Sequence, residues 1–284
     1  MSANYRDTYQ NGIKLLTEAG IAEAKLDARL LLEFACGTDH NTLLAHPERE
    51  VSESEAKEYE EFLNRRSKRE PLAYIIGKWD FMGLSFAVNK NVLIPEQDTE
   101  VLVEEAMRFL EDGFRILDLC TGSGCIALSL LNYSNNTTAV GTDISEEALS
   151  VAKENAKDLS LSERALLVKT DLFPEMDDDG SKFDLIVSNP PYIRSDVIET
   201  LAPEVRDYEP RLALDGDADG LVFYRRIIDE APKYLFSNGY LIMEIGYDQA
   251  FEVTELLEKA GCYHDIEVIK DYAGNDRVVR ACFY

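Results

Sequence analysis

The stretch Arg115-Ile-Leu-Asp-Leu-Cys-Thr-Gly-Ser-Gly-Cys-Ile-Ala127 decides how this 284-residue chain is read. Arg115 to Leu119 is an apolar run of strand length, and Cys125 to Leu131 is apolar over a helical length. Between them Gly122 and Gly124 let the chain turn sharply and let a ligand approach the backbone. The helix that follows offers its N-terminal amides. The alternation then repeats downstream. Thr138–Thr142, Ala165–Lys169, Phe183–Val187 and Tyr240–Ile245 read as strands, and the chain closes with two more. Glu146–Leu159, Leu221–Leu235 and Gln249–Ala260 read as helices, the first with Leu149, Ala152, Ala156 and Leu159 inward. Strand–helix alternation of this kind predicts an α/β fold: a doubly wound, mostly parallel seven-stranded sheet, Rossmann-like, with helices on both faces.

Upstream the period changes. To about residue 70 the apolar positions Leu15-Leu16, Ile21, Leu26, Leu30-Leu31-Leu32 and Phe34 recur at helical spacing. Ser52-Glu-Ser-Glu55 is a capping-box pattern opening an acidic helix, which ends in the basic cluster Arg65 to Arg69 before Pro71 stops it. The basic cluster suits the negative end of a helix dipole, a reading preferred over a partner contact. Leu72–Ile76 and Leu84–Val88 are strand-like runs set apart by Gly77 and Gly83, and predict a small hairpin. The expected organisation is a small helical N-terminal domain over 1–70, a linking β-hairpin over 71–90 and the sheet domain over 91–284. Met176-Asp-Asp-Asp-Gly180 reads as a solvated acidic loop.

Composition narrows the class. No stretch approaches the roughly 18 apolar residues of a membrane span, and the residues after Met1 have no apolar run of a signal peptide. Five cysteines without a CxxC pair fit reduced thiols in the cytoplasm, and three scattered histidines argue against a zinc site. A formal net charge of -25 repels phosphate backbones, so direct nucleic-acid binding is not expected.

The glycine turn alone is weak evidence of a cofactor, because Gly122-x-Gly124-x-x-Ala127 also fits a dinucleotide fingerprint. Asp143, about twenty residues on at a strand end, is placed to accept both hydroxyls of an adenosine ribose. S-adenosylmethionine and NAD both carry that ribose. Asp118 suits the ammonium of a methionine tail, and Asp171-Leu172 is placed to meet an adenine edge. The candidate cofactor residues are therefore Asp118, Cys120, Thr121, Gly122, Ser123, Gly124, Asp143, Asp171, Leu172 and Asn189.

The fourth strand runs into Ser188-Asn-Pro-Pro-Tyr192, and in open α/β sheets ligands gather at such carboxyl ends. An amide nitrogen is a poor nucleophile because its lone pair is delocalised, as its rotation barrier of roughly 18–20 kcal/mol attests. Acceptors aimed at its two N–H bonds draw it toward pyramidal geometry. The Asn189 side-chain oxygen and the Pro190 carbonyl are two such acceptors, proline fixes the backbone, and Tyr192 offers a flat face for stacking. Asn189, Pro190, Pro191 and Tyr192 are thus the candidate substrate residues, with Asn189, Pro190 and Tyr192 catalytic and no metal required.

These motifs together resemble the protein-(glutamine-N5) methyltransferases of peptide chain release factors, the PrmC/HemK family. The resemblance spans nearly the whole chain: Arg65-Arg66, Pro71-Leu-Ala-Tyr74-Ile-Ile-Gly77, Phe81, Leu93-Ile94-Pro95, Asp98-Thr99-Glu100, Asp118 to Gly124, Asn189 to Tyr192, Glu209 to Leu214 and Asp271 to Arg277. It implies a class I methyltransferase fold, S-adenosylmethionine as methyl donor, and the glutamine of the release factor's Gly-Gly-Gln motif as acceptor. It implies further that the helical front domain grips the release factor, in the cytoplasm, and the expected state is a monomer. Two residues depart from the family pattern. Cys120 stands where a glycine is usual, and a small side chain fits there if φ is negative. Glu96 stands where Arg typically follows Ile-Pro, a reversal that alters substrate binding if the position meets substrate and nothing if it is mere surface.

Asn-Pro-Pro-Tyr is also shared with adenine-N6 DNA methyltransferases, so an adenine-N6 enzyme or one acting on another protein glutamine is the first alternative. The net charge and the lack of length for a target-recognition domain weigh against DNA. An NAD-dependent oxidoreductase lacks a catalytic His or Tyr-Lys pair and leaves Asn189 to Tyr192 unexplained. A non-catalytic binding module has no need of an intact reaction motif.

Overall fold

The computed structural model describes residues 4–175 and 182–284 and divides into two units. The acidic run 176–180 lies outside the described residues.

The smaller unit holds the chain up to Lys78 together with Ala202–Tyr208. Its helices are α1 (Tyr5–Glu18), α2 (Ala24–Ala35), α3 (His40–Ala45), α4 (Glu53–Ser67) and α5 (Leu72–Ile76). Asn4 and Asp39 cap α1 and α3, and Ser52 with Glu55 closes the expected capping box on α4. Leu16, Leu31, Leu32, Tyr59, Phe62 and Leu63 are buried, and the Tyr59 hydroxyl donates to the Ala28 carbonyl. The basic end of α4 is consumed internally. Arg65 pairs with Glu70, and buried Arg66 lies 2.7 Å from buried Asp27 and 3.2 Å from Glu204, which Arg69 also meets.

Leu72–Ile76, read as a strand, is the short helix α5. Tyr74 and Ile75 both donate to the Pro71 carbonyl, and Gly77 ends the turn at φ 77. Four consecutive buried residues, Leu72 to Ile75, cannot alternate as a half-exposed strand requires. The hairpin is instead β1 (Lys78–Phe81) with β2 (Leu84–Ala87). All of it but Lys78 belongs to the larger unit. There Phe81 and Phe86 enter the core, and Ala87 exchanges two hydrogen bonds with the Asn155 side chain.

The larger unit continues through α6 (Gln97–Met107), β3 (Arg115–Leu119), α7 (Cys125–Asn132), β4 (Thr138–Asp143), α8 (Glu146–Asp158), β5 (Ala165–Lys169) and β6 (Phe183–Ser188). After α9 (Ser195–Ile198), α10 (Pro203–Arg206) falls in the smaller unit, and the chain resumes with α11 (Arg211–Leu214). Then come α12 (Val222–Tyr234), β7 (Leu235–Glu244), α13 (Ala250–Ala260), β8 (Tyr263–Lys270) and β9 (Asp276–Phe283). The seven strands lie in the order β5-β4-β3-β6-β7-β9-β8. The first five run parallel, and β9 is antiparallel to both β7 and β8. One apolar core covers each face. Order reverses between β3 and β6, the switch point beside which doubly wound folds bind ligands. Among the described residues no helix is long and apolar enough to cross a membrane.

Candidate active site

A cleft of about 490 Å³ opens at the carboxyl ends of β3, β4 and β6. Cys120 to Ser123, Asp143, Asp171, Leu172, Asn189 and Pro191 all line it. Four of the sequence-nominated residues, Asp118, Gly124, Pro190 and Tyr192, are not on its wall.

The glycine turn owes its shape to three left-handed residues in alternation: Cys120 at φ 59, Gly122 at φ 56 and Gly124 at φ 80. A negative φ was the condition for Cys120 to fit easily, and it is not met. A side chain there costs roughly 1–2 kcal/mol of backbone strain, tolerated because the turn is held on all sides. Thr121 N–H donates to Thr142, Gly124 N–H to Thr121, and the Asn155 amide to the Ser123 carbonyl. Beneath the turn lies Asp118, fully buried. It accepts from the Thr121 hydroxyl at 2.6 Å and the Ala127 amide at 3.3 Å, while its Oδ1 has no partner among the described residues. Burial pushes its carboxyl up to about 7, against those two hydrogen bonds. Asp118 is thus a brace of the turn rather than a cleft-facing partner for an ammonium.

Asp143 ends β4 on the cleft wall. Its Oδ2 accepts the Gly122 amide at 3.0 Å and its Oδ1 the Ser145 amide at 2.9 Å. Burial raises its pKa, and these backbone donors oppose the rise. Asp171 is held 3.0 Å from Arg226, also on the wall, and Leu172 is buried at φ 68.

The Asn189–Tyr192 segment leaves β6 and is clamped from several directions. Asn189 Nδ2 donates to the Thr99 hydroxyl at 3.2 Å, which leaves Oδ1 as the acceptor Asn189 has to offer the cleft. The Tyr192 hydroxyl donates to buried Glu244 at 3.1 Å, and its carbonyl accepts from Gln249 at 3.0 Å. Gly216 and Gly220 pack on the Tyr192 backbone so closely that an added Cβ would stand 2.8 Å and 2.5 Å from its atoms. Glu96 precedes α6 as its N-cap residue and does not line the cleft. Arg277, in the closing motif, pairs with Asp98 and Asp271, and Asp271 also ties the turn at Ala273 and Asn275.

Sequence reasoning gave no role to Thr99, Glu244, Gln249 or Arg226. Glu244 carried a usable signal: it is an acid at the carboxyl end of a strand, the position that singled out Asp143. Thr99 stood in the Asp98-Thr99-Glu100 motif with no role assigned and Gln249 carried no signal, since each meets the site through a contact distant in sequence.

The glycine turn, the carboxylate ending β4 and the antiparallel penultimate position of β9 define a Rossmann-like methyltransferase fold. Residues 7–77 match the family model described as PrmC N-terminal domain, and 96–204 that described as Methyltransferase small domain. The release factor glutamine methyltransferase of Clostridium acetobutylicum is 43% identical over 257 residues, 90% of each chain. That of Caulobacter vibrioides is 44% identical over 266 residues, 93% of this chain and 91% of its own. The chain belongs to the release factor glutamine methyltransferase family. Among solved structures, a methyltransferase from Pyrococcus furiosus shares the fold with a TM-score of 0.51 at 19% identity, covering 71% of this chain and 89% of that one. The hMettl16 catalytic domain, solved with the MAT2A 3′UTR hairpin 6, shares it with a TM-score of 0.55 at 18% identity, covering 71% and 76%.

Proposed function

We propose that this protein transfers a methyl group from S-adenosylmethionine to the side-chain amide nitrogen of the glutamine in the Gly-Gly-Gln motif of peptide chain release factors. The observation that carries the reading is the anchoring of Asn189: with Nδ2 spent on Thr99, its oxygen is left to accept from a substrate amide. Family membership supports the substrate.

The cleft fits the cofactor. Each oxygen of Asp143 already holds one backbone amide and keeps acceptor capacity for a ribose hydroxyl. The space in front of Gly122 is open, with nothing within 4 Å of where a Cβ would stand. Cys120 to Ser123 would hold the methionine portion, Asp143 the ribose, and Asp171-Leu172 with Phe223 the adenine. When bound, S-adenosylmethionine supplies an electrophilic methyl group on a sulfonium.

The protein's own work is on the acceptor nitrogen. Asn189 Oδ1 and the Pro190 carbonyl accept its two N–H bonds and localise the lone pair. Pro190 and Pro191 lack amide protons that would compete for the same acceptors. Tyr192, held by Glu244 and Gln249, fixes the end of the segment instead of stacking from the cleft wall. Positioning of this kind is worth orders of magnitude in rate. Recognition of the protein substrate falls to the helical N-terminal unit.

The test is transfer from labelled cofactor to a release factor, with the Asn189→Asp variant beside wild type. A carboxylate keeps the acceptor but loses the amide donor to Thr99. Wild-type labelling confined to one glutamine supports the reading, and labelling on another residue type refutes it.

A further inference from the structure

Behind the reaction motif, Gln249 joins three stretches of chain that are far apart in sequence. Its Nε2 donates to the Tyr192 carbonyl at 3.0 Å and to the Gly220 carbonyl at 3.3 Å, and its Oε1 accepts the Gly246 amide at 3.0 Å. These partners force the orientation of the side-chain amide: two carbonyls need a donor, and an N–H needs an acceptor. Neither glutamate nor methionine, of similar length, offers both. Gln249 is half-buried and absent from the cleft wall.

Both partners of Nε2 lead to that wall. Tyr192 closes the segment that places Asn189 and Pro191 on it, and Gly220 closes the loop that begins on it with Pro210, Leu212 and Ala213. The segment and the loop are also stitched backbone to backbone. Ile193 N–H donates to Leu214 at 2.9 Å, Gly216 N–H to Ile193 at 2.8 Å and Ser195 N–H to Asp217 at 3.0 Å. The join has no room to spare: a Cβ on Gly220, whose φ is 73, would stand 2.5 Å from the Tyr192 oxygen and 2.7 Å from Gln249 Nε2.

We propose that Gln249 is a positioning residue for methyl transfer: its amide latches the acceptor segment Asn189–Tyr192 to the wall loop 210–220, so that the two present one fixed surface to the substrate glutamine. The proposal rests on the reading of that segment as the acceptor site. Thr99 holds the segment at its start, and Gln249 holds it at its end. Without the latch the segment and the loop can part. Asp143 keeps its bonds to Gly122 and Ser145, which do not pass through Gln249. The loss therefore falls on the acceptor and spares the cofactor.

Gln249→Met keeps the length of the side chain and removes its hydrogen bonds. In release factor methylation it should lower kcat by about 100-fold, the cost of a misplaced reacting group. The Kd of S-adenosylmethionine should stay within about threefold of wild type. Gly220→Ala attacks the same latch without touching Gln249, and the double variant should lose little more than the worse single one, because changes within one network do not add. Hydrogen exchange supplies a readout that needs no methyl acceptor. The amides of Ile193 and Ser195 should exchange about tenfold faster in Gln249→Met, and those of β4 at the wild-type rate. If Gln249→Met fails to fold by circular dichroism, Gln249→Glu, which keeps the acceptor for Gly246 and loses both donors, takes its place. Wild-type kcat in the variant, a cofactor Kd weakened as much as kcat, additive losses in the double variant, or unchanged exchange at Ile193 and Ser195 each overturns the proposal. If the wild-type protein methylates no release factor, the reading of the substrate fails, and faster exchange at Ile193 and Ser195 still supports the latch.

Discussion

Asp143→Asn removes one acceptor from the cofactor site while preserving shape. Both carboxylate oxygens are already engaged, Oδ2 by the Gly122 amide at 3.0 Å and Oδ1 by the Ser145 amide at 2.9 Å. A carboxylate has about four acceptor positions, so roughly two remain for ribose hydroxyls. Asparagine has one oxygen. Whichever way its amide is turned, an NH2 group meets a backbone N–H, and one hydroxyl loses its charged acceptor. A hydrogen bond to a charged group contributes about 1.5–3 kcal/mol. The loss corresponds to a weakening of about 10- to 150-fold in S-adenosylmethionine affinity, read by calorimetry. pH adds a second signature. Burial holds the Asp143 pKa above the ordinary value, so wild-type affinity should decline as pH falls through that raised pKa while the asparagine variant shows no such decline. Affinity within about twofold of wild type, with the same pH dependence, would refute the assignment of Asp143 to the ribose.

Asn189→Ala should abolish detectable methyl transfer yet leave cofactor affinity within about threefold, because Asn189 is spent on the acceptor side of the cleft; substantial turnover contradicts its role. Asp118 provides a stability test. Its folded pKa of about 7 lies above the ordinary carboxylate value, so its contribution is fully present at low pH and is lost as pH rises from about 4 through about 7. Asp118→Asn should flatten that part of the stability curve in thermal melts from pH 5 to 8, and an unchanged slope would show that Asp118 is not the group responsible. Arg66→Ala strands buried Asp27, and should destabilise the helical unit by about 3–5 kcal/mol in urea unfolding followed by circular dichroism. A loss below about 1 kcal/mol would place that ion pair among the inconsequential ones.

The sheet was legible because its signals are local. Arg115–Leu119 and Ala165–Lys169 match their strands residue for residue, since each is an apolar run of strand length, largely buried in β3 and half-exposed at the sheet edge in β5. The start of β7 was missed by five residues, because Phe236, Ser237 and Asn238 are exposed and break the apolar pattern. Leu72–Ile76 failed for the opposite reason: an apolar run of five cannot declare its period, and only Pro71 and Gly77 at its ends say helix. At the site, residues on the cleft wall were readable from motif and strand end, as with Asn189 and Asp143. Residues that act by holding others were not. Thr99 and Glu244 reach Asn189 and Tyr192 across 90 and 52 positions of sequence, a proximity that only folding creates.

The most direct test is a methyl-transfer assay with labelled S-adenosylmethionine, this protein and a purified release factor, run beside the same factor with its Gly-Gly-Gln glutamine replaced. The account predicts label on the wild-type factor and none on the substituted one. Equal labelling of both, or none on either with cofactor binding confirmed, would contradict it.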